Sequence, residues 1–120
     1  MTTDVFTVSP DAPVSDVVKS MVKGRFGSAL VTRGAMLVGI FTERDVLRAA
    51  ASGRDLTTSR ITDWMTRDPQ TVGSDTDSED AAELMLANGF RHLPVLDGTS
   101  VTGIVSLRDV LSARIRRPAD

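Results

Sequence analysis

The apolar residues of the first 50 positions follow two different periods. Over 14–22 they recur at spacings of three, four, seven and eight residues, which predicts an amphipathic helix that ends near Gly24. Short runs rich in β-branched residues predict strands on either side of it, and a second helix is predicted after Thr42. The strands are placed at Phe6–Val8, Ala29–Thr32 and Met36–Phe41. The expected order of elements is therefore β-α-β-β-α.

The same pattern returns 64 residues later along the chain. Residues 1–49 align without a gap with residues 65–113, and 18 of the 49 aligned pairs are identical. A helix is expected over 78–88, followed by strands near 93–96 and 101–105 that are separated by the turn signal Asp97-Gly98. The sequence thus predicts a first motif at 1–49, a linker at 50–64, a second motif at 65–113 and a tail at 114–120.

The elements of one motif are too few to cover both faces of its own sheet. A single β-α-β-β-α unit has too few elements to bury both faces of a three-stranded sheet, so the two copies should pack face to face. We therefore expect an α+β fold, in which two motifs pack as a pseudo-two-fold pair and each small sheet carries its helices on one face.

Composition narrows the class of protein. Apolar residues make up 41% and charged residues 25%, which excludes disordered and low-complexity chains. Fourteen basic and sixteen acidic side chains give a net charge of −2, so nothing directs the whole chain towards nucleic acid. Cysteine is absent, which excludes disulfides, thiolate zinc sites and cysteine nucleophiles. The sequence has no signal-peptide pattern and no apolar stretch long enough to span a membrane, so we expect a cytoplasmic protein.

Two copies of one signature stand at the ends of the predicted hairpins. Gly39–Asp45 reads GIFTERD, and Gly103–Asp109 reads GIVSLRD. With Ile61–Thr66 and Arg91–Val95, they resemble the cystathionine-β-synthase (CBS) domain pair, or Bateman module, over the whole chain except its C-terminal tail. The resemblance implies a stand-alone, non-catalytic sensor. Such a module binds AMP, ATP or another adenosyl compound between its two motifs, requires no other cofactor, and signals through a change of conformation or of protein partner.

The signature also has a purely structural interpretation. Thr42-x-x-Asp45 and Ser106-x-x-Asp109 each fit a capping box, in which the hydroxyl and the acid satisfy the first backbone N–H groups of a helix. The same helix N-terminus can hold an anion, and its carboxylate can accept hydrogen bonds from both hydroxyls of a ribose. Both interpretations stay open in the sequence. The alternative function is therefore a dimerising scaffold with empty clefts, whose signatures only cap helices.

The resemblance assigns ligand-binding residues to two clefts. The first cleft is better equipped for a phosphate, because its set contains an arginine and a histidine where the other copy has Gly27 and Ser28. The first cleft would take Thr42, Asp45, Met65, Asp68, Gln70, Phe90, Arg91 and His92. The second cleft would take Ser106, Asp109, Asp4, Phe6 and Phe26.

The resemblance also implies a homodimer that packs through helical faces. The helices carry more apolar residues than a chain of 120 residues should bury by itself. The residues expected at this interface are Val17, Val18, Val46, Leu47, Ala81, Ala82, Val110 and Leu111. The first motif has no counterpart of residues 61–64, which leaves open an abrupt start or a longer parent chain.

No catalytic site and no metal site are expected. His92 is the only histidine and follows an arginine, which suits a phosphate donor better than a catalytic base. The acidic run Asp75–Asp80 lacks the glycine and the final acid of a calcium loop, so it is interpreted as complementing a helix N-terminus. Trp64 is interpreted as a packing anchor or an interface residue. The arginines at 114, 116 and 117 are expected to be solvated, so nucleic acid and membrane are not expected partners.

Overall fold

A computed structural model describes residues 5–115 of the chain, with side chains described as far as residue 111. The chain divides into an N-terminal unit, Phe6–Pro69, and a C-terminal unit that begins at Gln70 and also includes Val5. A single turn of 3-10 helix lies at Ile61–Asp63. The strands and helices are β1 (Thr7–Val8), α1 (Val14–Gly24), β2 (Ser28–Arg33), β3 (Met36–Thr42), α2 (Glu43–Ala51), β4 (Thr66–Arg67), β5 (Val72–Gly73), α3 (Ser78–Asn88), β6 (His92–Asp97), β7 (Ser100–Ser106) and α4 (Leu107–Ile115).

The N-terminal unit is built on a four-stranded sheet in the order β1-β2-β3-β4. β1 runs parallel to β2, and β2 and β3 form the predicted hairpin around Gly34, whose φ is 62°. β4 lies beyond the linker and pairs antiparallel with β3, where Gly39 faces Arg67. The sequence did not predict β4, because a strand of two residues shows no periodicity. The predicted motif boundary between residues 64 and 65 therefore falls inside this unit.

Residues of the predicted linker accept the first backbone hydrogen bonds of α1. Pro13 precedes this helix and provides no side-chain hydrogen bond, so the first backbone N–H groups need other partners. The N–H groups of Val14 and Ser15 donate to the carbonyls of Ser59, at 2.9 Å, and Leu56, at 3.0 Å. The linker thus belongs to the N-terminal unit, whose core also includes a residue of the 3-10 turn. The buried core residues are Val14, Val17, Met21, Ala29, Val31, Phe41, Ala49 and Ile61.

The C-terminal unit repeats the arrangement with one strand fewer in its sheet, which has the order β5-β6-β7. β5 is parallel to β6, and β6 and β7 form a hairpin around Gly98, whose φ is 63°. α4 extends to Ile115, two residues past the predicted end of the second motif. The buried core residues are Ala81, Ala82, Met85, Leu93, Val95, Val105 and Val110.

The predicted fold class is confirmed. Each copy follows the order β-α-β-β-α, and its sheet combines a parallel pair of strands with an antiparallel hairpin. Each predicted helix and strand is found within about two residues of its expected position. Over residues 5–115, no helix has both the length and the apolar character that crossing a membrane requires.

Candidate ligand-binding site

In the N-terminal unit, the signature lies where β3 ends and α2 begins. Thr42 is extended and precedes the helix, and Asp45 turns back onto it from the first turn. Asp45 Oδ2 accepts hydrogen bonds from the Thr42 backbone N–H, at 2.9 Å, and from the Thr42 hydroxyl, at 3.3 Å. Asp45 is only 4% exposed. The capping interaction expected from the sequence is therefore present at this junction.

Arg48 occupies the other oxygen of the same carboxylate. Its Nη1 donates to Asp45 Oδ1 at 3.0 Å, which makes an ion pair between the first and second turns of α2. The side chain of Arg48 is 59% exposed, whereas that of Asp45 is 5% exposed. Both carboxylate oxygens of Asp45 thus have protein partners. Our sequence analysis missed Arg48, although an acid and an arginine three residues apart on a helix are expected to pair.

The Arg48 guanidinium also lies over the ring of Trp64. Cζ of Arg48 lies 5.7 Å from the centroid of the Trp64 ring, and Cζ of Arg54 lies 5.8 Å from it. At these distances a guanidinium is attracted to the indole face. Trp64 also packs against the N-terminal core, which agrees with its predicted packing role. We call the contact series Asp45–Arg48–Trp64 the Arg48 bridge.

Two further predicted site residues flank β4. A Cβ atom added to Gly39 would lie 2.6 Å from the Met65 sulfur and 2.9 Å from the Thr66 carbonyl oxygen, so this position must be glycine for β4 to approach so closely. Asp68 is exposed, has a φ of 46°, and donates its backbone N–H to the Val38 carbonyl at 3.2 Å. The structure therefore brings Met65 and Asp68 to β3, the strand that leads into the first signature.

In the C-terminal unit, the second signature lies between β7 and α4 and has different contacts. The Ser106 hydroxyl accepts a hydrogen bond from the Asp109 backbone N–H at 3.0 Å, so the hydroxyl caps this helix. Asp109 is exposed, and its carboxylate has no ion-pair or hydrogen-bond partner among the side chains that the structure describes. The residue three positions later is Ser112, which carries no charge. This carboxylate is therefore open to solvent.

Arg91 and His92 lie beside the second signature. His92 pairs with Ser106 across the β6–β7 hairpin, and the Leu107 backbone N–H donates to the Arg91 carbonyl at 2.9 Å. Arg91 is exposed and His92 is half-buried. The resemblance had grouped both residues with Asp45. Within their own unit, the two residues are neighbours of the second signature across the β6–β7 hairpin.

The N-terminal unit has small residues at the equivalent place. Ser28 pairs with Thr42 across the β2–β3 hairpin, and the Glu43 backbone N–H donates to the Gly27 carbonyl at 3.2 Å. This backbone geometry matches that of Arg91 and the second helix start. The first helix start therefore has no cationic side chain at these two positions.

The remaining predicted site residues are divided between the units. Phe6 and Phe26 stack in the N-terminal unit, with ring centroids 5.1 Å apart and an angle of 13° between the rings. In the C-terminal unit Phe90 is 36% exposed, and Gln70 is also exposed. Asp4 lies outside the described residues. The two phenylalanines that the resemblance assigns to one cleft thus contact each other.

The acidic residues Asp75–Asp80 include the N-cap residue of α3. Asp77 is the N-cap residue, and its carboxylate accepts a hydrogen bond from the Glu79 backbone N–H at 3.5 Å, as the interpretation of Asp75–Asp80 predicts. Across residues 5–115, no cluster of three or more acidic or histidine side chains has the geometry to hold a metal ion.

The predicted dimer face is only partly available. Val17, Ala81, Ala82 and Val110 are buried in the cores of their units, which corrects the expectation that they face a second chain. By contrast, the predicted residue Leu111 is 43% exposed. Leu47 is 71% exposed, and Val22, which was not among the predicted residues, is 74% exposed. They belong to an apolar groove of about 540 Å³ between α1 and α2, which Val18 and Val46 also line.

Comparisons with known proteins cover both halves of the chain. The CBS domain family matches residues 1–52 and again residues 61–116. An uncharacterized 17.7 kDa protein of Acidianus ambivalens is 41% identical over 114 residues, and that alignment spans 93% of this chain and 68% of the relative.

Solved structures share the arrangement. The hexameric CBS-CP12 protein from bloom-forming cyanobacteria matches with a TM-score of 0.88 and 30% identity, covering 100% of this chain and 72% of that one. CBSX2, whose crystal structure was solved in complex with AMP, matches with a TM-score of 0.76 and 28% identity, covering 94% of this chain and 90% of that one.

Proposed function

The chain belongs to the CBS domain family, and from this premise we propose that it is a regulatory module whose helix starts bind an adenosyl-containing ligand. One observation carries the proposal. At the start of α4, the β6–β7 hairpin brings the backbone of Arg91 and His92 next to Ser106 and Leu107, one turn before the exposed carboxylate of Asp109. The crystal structure of CBSX2 with AMP supports the choice of ligand class.

The chemistry of these residues matches the parts of a nucleotide. The Asp109 carboxylate accepts hydrogen bonds from the two ribose hydroxyls, because an ionised carboxylate has several lone pairs and Asp109 is exposed. A phosphate takes the positive end of α4 together with the guanidinium of Arg91, which forms strong charge-assisted hydrogen bonds with phosphate oxygens. His92 adds a further donor. These residues fit the ribose and phosphate of a nucleotide, and the AMP complex of CBSX2 supports AMP, ATP or a related adenosyl compound as the ligand.

Regulation needs only a ligand that favours one conformation. A ligand that prefers one arrangement of the two units raises the population of that arrangement, and a partner can respond to the shift. We propose no catalytic residue, because the site residues have roles in binding and no acid–base pair is assigned a reaction.

A thermal-shift panel tests the proposal directly. The ligands are AMP, ATP, NAD and S-adenosylmethionine. A ligand at one hundred times its Kd adds about 2.7 kcal/mol to the free energy of unfolding, which is readily measured. We expect at least one adenosyl compound to raise the melting temperature in a concentration-dependent manner. No shift with any of the four would reject the proposal.

Calorimetry on acid variants then locates the site. Asp109→Asn keeps the shape of the side chain and removes its charge, so it should weaken binding of the stabilising ligand by roughly 1–3 kcal/mol. Asp97→Asn is the matched control, because it removes another exposed carboxylate from the same unit at the hairpin turn. Equal affinity of wild type and Asp109→Asn would mean that the second signature only caps its helix and does not bind the ligand.

The apolar groove between α1 and α2 favours self-association as a second role. We propose that a second copy of the chain covers its exposed residues Val22 and Leu47, since two-fold homodimers are the commonest soluble oligomers. The hexameric state of the CBS-CP12 protein supports the general tendency to assemble. Light scattering should give about twice the chain mass of 12.9 kDa at micromolar concentration.

A charge placed in the groove should break this dimer. Leu47→Glu should yield the monomer mass, whereas Met36→Glu should not, because Met36 is equally exposed, at 68%, but lies on the hairpin. A monomeric wild type across a dilution series would refute self-association. A dimer that binds none of the four ligands would instead support the alternative function, a ligand-free scaffold.

A further inference from the structure

The Arg48 bridge lies where the proposed ribose contact would form in the N-terminal unit. A carboxylate offers about four lone-pair sites. Asp45 uses its sites for the Thr42 N–H at 2.9 Å, the Thr42 hydroxyl at 3.3 Å and Arg48 Nη1 at 3.0 Å. With the Asp45 side chain 5% exposed, two ribose hydroxyls cannot reach it while Arg48 holds this position.

We infer that Arg48 is a built-in competitor that a ligand must displace before its ribose can bind Asp45. This inference rests on the proposed function. It assigns to Arg48, a residue outside the signature, the control of affinity at the first helix start. At the second helix start the equivalent position is Ser112, so the competitor is confined to one copy.

The exposure of Arg48 shows that displacement is feasible. Its side chain is 59% exposed, and ion pairs with an exposed member are weak because water solvates the released charge. Its contact with the Trp64 face adds a comparable, modest attraction. Together these contacts should weaken ligand binding at Asp45 by about three- to tenfold, without abolishing it.

The fluorescence of Trp64 can report the displacement of Arg48. It is the only tryptophan of the chain, so intrinsic fluorescence reports on this ring alone. Its Nε1 is buried without a hydrogen-bond partner in the described part of the chain, and two guanidinium groups cover its ring. When a ligand releases Arg48 from Asp45, one of these groups leaves, and the emission of Trp64 should change.

The test uses the full chain with ligand binding at the second helix start weakened. In an Asp109→Asn background, adenosine is titrated by calorimetry against protein with and without Arg48→Met. Adenosine is uncharged, so the loss of a positive charge does not act on it through long-range attraction. Arg44→Met is the matched control, because it removes an exposed arginine from the same helix without an assigned contact to Asp45.

We expect Arg48→Met to bind adenosine about three- to tenfold more tightly than its background, and Arg44→Met to bind it unchanged. Adenosine should change Trp64 emission in the Asp109→Asn protein and in its Arg54→Met derivative, but much less after Arg48→Met. Unchanged or weaker binding by Arg48→Met would overturn the competitor role while leaving the proposed function intact. Absence of adenosyl-ligand binding to every variant and to wild type would overturn both.

Discussion

Asp45 and Asp109 occupy the same position of the duplicated signature, three residues after the hydroxyl that precedes a helix, yet their surroundings differ. Asp45 is 4% exposed, and its two oxygens are engaged by Thr42 and Arg48. Asp109 is exposed, and its helix is capped by the Ser106 hydroxyl. Two copies of one motif thus present one closed and one open carboxylate. The signature places the acid, and residues outside the signature decide whether it is free to bind.

The neighbours of the two helix starts differ in the same direction. Arg91 and His92 stand where the N-terminal unit has Gly27 and Ser28, whereas the basic residue beside Asp45 is Arg48 of its own helix, which occupies the carboxylate. A phosphate requires such donors, and a ribose requires a free acceptor. The C-terminal helix start has both features. The resemblance groups Arg91 and His92 with Asp45, whereas our proposal uses them together with Asp109.

The largest expected effect concerns the phosphate. Arg91→Ala should weaken AMP binding by 1.5–3 kcal/mol, or about tenfold and more, because a charge-assisted hydrogen bond is lost. Adenosine has no phosphate, so its binding should change little. Calorimetry with both ligands on wild type and Arg91→Ala measures the difference. Arg33→Ala, which removes an exposed arginine from the hairpin of the other unit, is the control.

The outcome for Arg91 could break the comparison in two ways. Equal losses for AMP and adenosine would show that Arg91 supports the structure of the site and not the phosphate. Retention of AMP affinity would place the phosphate elsewhere and would remove the reason for assigning it to Arg91 at either helix start.

A smaller effect is expected on stability. Asp45→Ala removes a buried acceptor and leaves the Thr42 N–H and Arg48 without it, so the free energy of unfolding should fall by about 1–2 kcal/mol. Asp109→Ala removes an exposed carboxylate from a helix start that keeps its hydroxyl cap. It should cost about 0.3–1 kcal/mol, the usual contribution of an acid near a helix N-terminus.

Urea unfolding of both variants measures this contrast. The two substitutions delete the same atoms at equivalent positions, so each is the control of the other. Losses of equal size would mean that Asp45 gains nothing from its burial and its ion pair, and the contrast between a closed and an open carboxylate would then fail.

Sequence periodicity predicted the helices and longer strands because each forms over consecutive residues with one buried face. β4 was not predicted, because its pairing with β3 is set by tertiary contact across the linker. The predicted dimer face was partly wrong for a related reason. A helical period gives the apolar stripe but not its limits, so Val17 and Val110, which lie in the cores, were counted with the exposed residues.

The sequence predicted which acids lie at the two helix starts but not whether their carboxylates are engaged by other side chains. Thr42, Asp45, Ser106 and Asp109 follow from the repeated signature. Arg48, which closes Asp45, also lies over the ring of Trp64, 16 residues further along the chain, and no local pattern encodes that second contact. Tertiary packing therefore separates two sites that the repeat makes appear alike.

The smallest expected effect comes from another matched pair, the residues that end α1 and α3. Arg25 adopts a left-handed conformation with φ 58° and ψ 39°, and its N–H donates to the carbonyls of Met21 and Val22. Gly89 ends α3 with φ 74° and ψ 18°. A left-handed residue with a Cβ atom costs roughly 1–2 kcal/mol. Glycine avoids that cost but makes the unfolded chain more flexible, which offsets roughly 0.5–1 kcal/mol of the gain.

Arg25→Gly should therefore raise the free energy of unfolding by about 0.5 kcal/mol, and Gly89→Arg should lower it by a similar amount. A Cβ atom at Gly89 would have no neighbour within 4 Å, so the expected loss there comes from the backbone alone. Urea midpoints at unchanged m-value measure both variants. A lower midpoint for Arg25→Gly would mean that the Arg25 side chain, which lines the groove beside Val22 and Phe26, stabilises the unit by more than its backbone strain costs.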